Sequence, residues 1–173
     1  MKLLIITASF FIFTASWREF QTYDGKFRVL TPTGDMTEKV SKIKTAIGEL
    51  NYHSYIHRPE EKNPDCVFYI VNYCDYPSGT FPADSTELIQ EFFTQTIDES
   101  VKSVHGLLTY QADIQDNIHK GKIWRVQYNQ GKAFIKSKCY MAGDRFYLVQ
   151  TMMLKEKSMN PSADKFLDSF HIF

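Results

Sequence analysis

The stretch GKIWRVQYNQGKAFIKSKCYMAGDRFYLVQTMM, residues 121–153, decides how the rest of the chain is arranged. Gly121 to Tyr128, Lys132 to Met141 and Arg145 to Met153 are rich in the aromatic and β-branched residues that suit a pleated, half-buried surface. Between them lie only Asn129-Gln130-Gly131 and Ala142-Gly143-Asp144. Loops this short cannot return the chain to the starting end of a parallel strand, so the three segments form an antiparallel meander. Upstream, Leu107 to Ile114 adds a further strand, followed by a polar loop over Gln115 to Lys120.

Before the meander, Ile89, Phe93, Ile97, Val101 and Val104 recur at steps of four, four, four and three, with Phe92 widening the stripe. That spacing predicts an amphipathic helix, capped by Asp84 or Ser85, with Glu87 in its first turn. Gly106 is placed to stop it at C′. After the meander, Asn160 and Pro161 begin a short helix with Ala163, Phe166, Leu167 and Phe170 on its apolar side. Toward the N-terminus, Asp24-Gly25 between Phe20–Tyr23 and Lys26–Leu30 signals a hairpin with a type I′ turn, and Pro32 and Gly34 end its second strand. Thr37 to Lys44, with Val40 and Ile43 as its main apolar positions, allows either a helix or an extended edge strand and is expected to be extended; Ile47-Gly48-Glu49 is a turn or bulge, and Leu50 to His57 alternates as a strand does. Arg58 to Asp65 is a solvated loop. Cys66 to Cys74 is a near-continuous apolar run, a central strand that needs cover on both faces, and Tyr76 to Pro82 breaks the chain.

Strands, one long helix, a meander and one short helix make an α+β fold: a largely antiparallel sheet packed by two helices. The expected core holds Phe27, Val29, Val67, Tyr69, Val71, Ile89, Phe93, Ile97, Trp124, Val126, Phe134, Leu148, Phe166 and Leu167.

Met1-Lys2, the apolar run Leu3 to Phe13 and the small residues Thr14-Ala15-Ser16 have the three-part form of a secretory signal peptide. The stretch from Leu3 to Ala15, thirteen residues, rises only about 20 Å as a helix against a hydrocarbon core of roughly 30 Å, too short for a membrane anchor. A buried element of the folded domain is the other alternative, and the abrupt polarity at Arg18 and Glu19 opposes it. Residues 1–16 are therefore expected to direct export, leaving residues 17–173 as a single domain in the periplasm or outside the cell, with no stable membrane insertion. The 173 residues carry 20 basic and 20 acidic groups. Residues 1–16 contain one charge, Lys2, so the remainder holds 20 − 1 = 19 basic and 20 acidic groups, net 19 − 20 = −1. Near-neutrality argues against a nucleic-acid partner, which needs concentrated positive charge. Lys132, Lys136 and Lys138 share strand parity with Phe134 and Tyr140, and they are expected on a solvated or edge face of the sheet.

Of the three cysteines, Cys66 and Cys74 lie roughly 26 Å apart along one strand, beyond the reach of a disulfide. Either Cys139 pairs with one of them across neighbouring strands, or all three are small buried hydrophobes whose setting raises the thiol pKa. His53 and His57 fall on one strand face about 13 Å apart, too far to share a metal. His105, His119 and His171 are scattered, and no nucleophile elbow, zinc-protease helix or phosphate loop occurs, so no cofactor, metal or catalytic residue is expected. The surplus is aromatic, with fourteen Phe and ten Tyr. Tyr52, Tyr55, Tyr73, Tyr76 and Tyr110 lie in strands or at strand ends. Tyrosines so placed serve either as core-to-solvent spacers or as recognition residues. With Asp75, the strand exit Cys74-Asp75-Tyr76-Pro77 makes Tyr52, Tyr55, Tyr73, Asp75 and Tyr76 the candidate binding residues.

Several pieces in this order carry a resemblance: Gly25-Lys26-Phe27-Arg28-Val29 with Pro32, Thr45 to Gly48, Tyr69 to Pro77, Lys138 to Tyr147, and Lys165 to Phe170. Together they resemble a group of exported bacterial proteins of unknown function, similar in fold to the PsbP-like superfamily. That superfamily is an α/β/α sandwich that includes photosystem II extrinsic subunits and a Ran-binding nuclear-import factor. The resemblance implies a non-enzymatic binding or accessory domain, with a protein as the expected partner. Two rivals remain: a carrier of a small apolar ligand or lipid, with a closed cavity beneath the long helix, and a hydrolase with a convergent site.

Overall fold

The computed structural model describes residues 16–173 except Ala46, Ala83 and Asn117; the segment expected from sequence to direct export, save Ser16, lies outside the described residues. In chain order the elements are β1 (Trp17–Thr22), β2 (Phe27–Pro32), β3 (Thr37–Thr45), β4 (Gly48–His57), β5 (Phe68–Asp75), α1 (Thr86–Ser103) and β6 (Leu107–Asp116). There follow β7 (His119–Tyr128), β8 (Ala133–Ala142), β9 (Arg145–Leu154), a 3₁₀ turn (Lys155–Lys157), α2 (Pro161–Ser169) and β10 (His171–Ile172). Among the described residues the strands form a seven-stranded sheet, β3-β4-β5-β9-β8-β7-β6, and a three-stranded sheet, β1-β2-β10. Every pairing is antiparallel. The meander is present, and β5 closes on its last strand with Phe68 opposite Met152 and Asp75 opposite Arg145.

The large sheet is covered differently on its two faces. On one, Tyr69, Val71 and Tyr73 of β5 and Tyr147, Val149 and Met153 of β9 meet Phe27 and Val29 of β2 and Ala163, Phe166 and Leu167 of α2. On the other, Ile89, Phe93 and Ile97 of α1 pack onto Trp124, Val126, Cys139, Met141 and Phe146. The fold is a sandwich with the large sheet in the middle. Cover of the second face is partial: Cys74 is buried, whereas Phe68 and Ile70 at the far end of β5 are only half-buried.

Several sequence expectations change in detail. The first hairpin forms, but its left-handed residue is Lys26 (φ 52°), not Asp24 or Gly25. A four-residue loop replaces the type I′ turn, closed by the Lys26 amide donating to the Tyr23 carbonyl at 3.2 Å. Gly25 is needed for space instead, since a Cβ there would stand 2.7 Å from both the Phe27 ring and Thr22 Cγ2. Ser85 is the N-cap of α1, but its side chain makes no capping bond. At the other end the left-handed C′ residue is His105 (φ 48°) rather than Gly106. The His105 and Gly106 amides donate to the Lys102 and Val101 carbonyls, the paired bonds of a Schellman ending. Gly106 is required because a Cβ would lie 2.4 Å from Val126 Cγ1.

Val67, Phe134 and Leu148 are half-buried rather than core. Val67 precedes the strand, Phe134 carries the Arg125 guanidinium 4.0 Å above its ring, and Leu148 lies at the margin of the α1 contact. Lys136 and Lys138 occupy neither an edge nor a solvated face. Strand β8 is internal, and the two lysines pair with Asp164 and Asp168 of α2. The cysteines are all free and buried. Cys74 on β5 and Cys139 on β8 have β9 between them, so they are not on neighbouring strands.

Candidate binding site

Asp75 ends β5 and Arg145 begins β9, directly opposite each other in the ladder. The Arg145 guanidinium donates from Nε and Nη2 to the two Asp75 oxygens at 2.5 and 2.7 Å, a bidentate pair. Its Nη1 donates to the Asp24 carbonyl at 2.7 Å, and its plane lies 4.7 Å above the Tyr73 ring. Burial opposes the charge, but the Asp75 and Tyr147 contacts outweigh it and raise the Arg145 pKa. Arg145 thereby ties the ends of the large sheet to the turn of the small one, helped by Tyr147 Oη donating to the Gly25 carbonyl at 2.8 Å.

Next to it, Asp144 shapes the strand exit. Its carboxylate accepts from the Phe81 and Gly79 amides, each at 2.8 Å, and these bonds hold it below the usual carboxylate range. Gly79 sits at φ +82°, a conformation that disfavours any side chain, so the loop from Tyr76 to Phe81 is set around Asp144.

These anchors frame a cleft of about 510 Å³, lined by Lys26, Asp75, Tyr76, Ile118, His119, Ala142, Asp144, Arg145, Tyr147, Ile172 and Phe173. Its rim is apolar and open: Ile118 is 82% exposed and Phe173 49%. Tyr23, 79% exposed, packs edge-on to Phe173 with ring centroids 6.3 Å apart. Large apolar side chains brought together at the surface mark contact sites more often than single ones do.

The candidate residues named from sequence do not form one surface. Asp75 and Tyr76 line the cleft. Tyr73 and Tyr55 are 3% and 5% exposed, inside the core beneath the small sheet. Tyr73 lies parallel to His53 at 4.4 Å, and burial pushes its phenol up to about 12. Tyr52 faces the opposite side of the sheet, half-buried, its phenol raised by burial and by Cys74 and Tyr76. The Tyr76 ring is wedged 5.1 Å from Phe81 and 5.6 Å from Phe92, and burial pushes its phenol up to about 12. Lys26, His119, Arg145 and the rim residues Tyr23, Ile118 and Phe173 were missed from sequence. The Asp-Gly signal placed Tyr23 at a turn, but nothing local links it to Ile118 or Phe173.

Other chemistry is quickly placed. His53 and His57 do share a strand face; His53 meets Glu38 at 3.3 Å, and His57, 3% exposed, lies 3.2 Å from the Asp35 carbonyl oxygen. Among the described residues no three potential ligands cluster as a metal site. Burial pushes the thiols of Cys66 and Cys74 up to about 11 and that of Cys139 up to about 12. A larger hollow, about 930 Å³, lies at the opposite end of β5 and is walled by the polar segments Thr33–Asp35 and Arg58–Glu61. Neither hollow is beneath α1, where side chains of α1 and the sheet meet directly. No helix among the described residues is long and apolar enough to cross a membrane.

No family model and no curated protein matches the chain by sequence. Solved structures do resemble it, two of them as follows. The cyanobacterial PsbP (CyanoP) from Synechocystis sp. PCC 6803 superposes with a TM-score of 0.58 at 12% identity, covering 94% of this chain and 95% of that one. The fold is PsbP-like. The Saccharomyces cerevisiae Ran-binding protein Mog1p aligns over 92% of this chain and 96% of its own at 11% identity, with a TM-score of 0.49. At such identities the PsbP-like likeness concerns the fold alone.

Proposed function

We propose that this PsbP-like protein is an exported, non-enzymatic binding domain that captures a protein partner at the cleft between Arg145 and the Tyr23–Phe173–Ile118 rim. The carrying observation is the rim itself: Ile118 and Phe173 stand exposed in the lining of a cleft whose floor is locked by a bidentate Arg–Asp pair, and Tyr23, exposed too, packs against Phe173. Rigid aromatic and arginine groups of this kind contribute most to binding energy, because little conformational freedom is lost on contact. Raised thiol pKa values support a non-catalytic reading, since a cysteine nucleophile acts as the thiolate. The signal-like pattern of residues 1–16 supports the export part of this reading.

The test is site-specific photo-crosslinking from position 118 in producing cells, identification of the captured chain, and its titration with purified protein. The variant Tyr23→Ser with Ile118→Ser is expected to weaken that complex at least tenfold while leaving the melting temperature unchanged; unaltered affinity overturns the reading. Intact mass of the same purified protein is expected to begin at Trp17, and retention of Met1 overturns export.

A further inference from the structure

The two edges of the large sheet are not alike. Strand β3 carries Glu38, Lys39, Lys42 and Lys44 along nine residues, and such charges discourage pairing with another chain. Strand β6, LLTYQADIQD, has neither lysine nor proline, and among the described residues β7 is its one strand partner. Its outer backbone groups form a pairing template. A bulge between Leu108 and Tyr110 interrupts the start of the strand and leaves the regular run Tyr110–Asp116. Within that run Tyr110 is 53% exposed.

We propose that β6 pairs antiparallel with β6 of a second copy about a two-fold axis at Ala112. The segment Tyr110-Gln111-Ala112-Asp113-Ile114 is a pattern that reads the same in both directions: apolar, polar, small, polar, apolar. Antiparallel self-pairing sets Tyr110 opposite Ile114, Gln111 opposite Asp113, and Ala112 opposite its own copy. The register of β6 with β7 places Tyr110, Ala112 and Ile114 on the sheet face of Arg125, Ile123 and Gly121, so the apolar pairs share one face. Aromatic against β-branched, and amide against carboxylate, are favourable cross-strand pairs. No charge meets its like: Asp113, already paired with Lys122 at 2.8 Å, faces a neutral Gln111. A small residue on the axis lets the two backbones approach. A second copy is therefore the partner this edge fits, and the two seven-stranded sheets become continuous.

Sedimentation equilibrium over a concentration series reads the association. The protein is expected to move reversibly between one and two protomer masses. Gln111→Asp sets two carboxylates opposite each other twice per dimer and is expected to weaken it roughly tenfold, whereas Gln111→Lys sets an ammonium against Asp113 and leaves it as tight or tighter. Both substitutions are at an exposed position, and equal melting temperatures at low concentration confirm intact protomers. Residues directly opposite in an antiparallel pair have Cα atoms about 4.5–5.5 Å apart, within disulfide reach. Ala112→Cys is therefore expected to yield a covalent dimer on oxidation, and Lys39→Cys on the other edge is not. The native thiols are buried and do not compete. A single protomer mass at every concentration overturns the proposal. So does a dimer indifferent to the sign of charge at position 111, or Lys39→Cys cross-linking while Ala112→Cys does not.

Discussion

The two faces of the large sheet are held by different means. Beneath α1, an eighteen-residue helix lays Ile89, Phe93 and Ile97 on Trp124, Val126, Cys139, Met141 and Phe146. Among the described residues the polar ties there are few: Trp124 Nε1 donates to Ser100 Oγ at 3.0 Å, and Lys120 Nζ to Thr86 Oγ1 at 2.9 Å. On the opposite face the covering elements are short, a nine-residue helix and a three-stranded sheet of two- to six-residue strands. These are fastened at many points. Arg145 and Tyr147 hold the β1–β2 turn, Ser169 Oγ accepts from the Leu30 amide at 2.8 Å, and Lys136 and Lys138 meet Asp164 and Asp168. A long amphipathic helix buries enough apolar surface to seat itself. Short elements bury less each, so directional bonds set their position.

The strongest challenge to that contrast is truncation on the α1 face. Phe93 is fully buried, and Phe93→Ala is expected to cost about 3–5 kcal/mol, read as a fall in the urea midpoint. On the other face, Tyr147→Phe keeps the ring and removes the donor to the buried Gly25 carbonyl. Its expected cost is about 1–2 kcal/mol, with greater protease sensitivity of the β1–β2 turn. A loss equal to that of Phe93→Ala would show that one polar tie matters as much as a core ring, and the distinction between faces would fail. The smallest effect belongs to Lys138→Ala. Asp168 is 68% exposed, so the pair is worth about 0.2–1 kcal/mol. The difference from the unmodified protein should shrink in 1 M salt, where the screening length is about 3 Å.

The meander, the central strand and α1 were legible because each rests on a local period: alternation of two in strands, three to four in the helix. Even the uncertain segment Thr37–Lys44 proved extended, pairing from Thr37 opposite Ile56 to Thr45 opposite Gly48. Local rules erred where one residue type had two uses. Gly25 and Gly106 were read as sources of positive φ, yet both are required for want of room, and Lys26 and His105 take the left-handed positions. Strand parity grouped Lys136 and Lys138 correctly on one face but did not show that α2 lies across it. For the site, Asp75 and Tyr76 were legible from the strand exit. Tyr55 and Tyr73 share parity with the core, and burial depends on what covers the strand.

The order of polar and apolar residues by itself determined which segments are strands, which are helices, and that the last strands run antiparallel through tight turns. These properties follow from backbone geometry and from side chains within a few positions of one another. Tertiary structure alone decided that β5 would close against β9, that Arg145 would bridge two sheets, and that Ile118 and Phe173 would line one cleft with Tyr23 packed against Phe173. It also left β6 and β3 as the two edges. Contacts of that kind join residues far apart in the chain, and they form only when the packing of whole faces outweighs the entropy of closing the long loops between them.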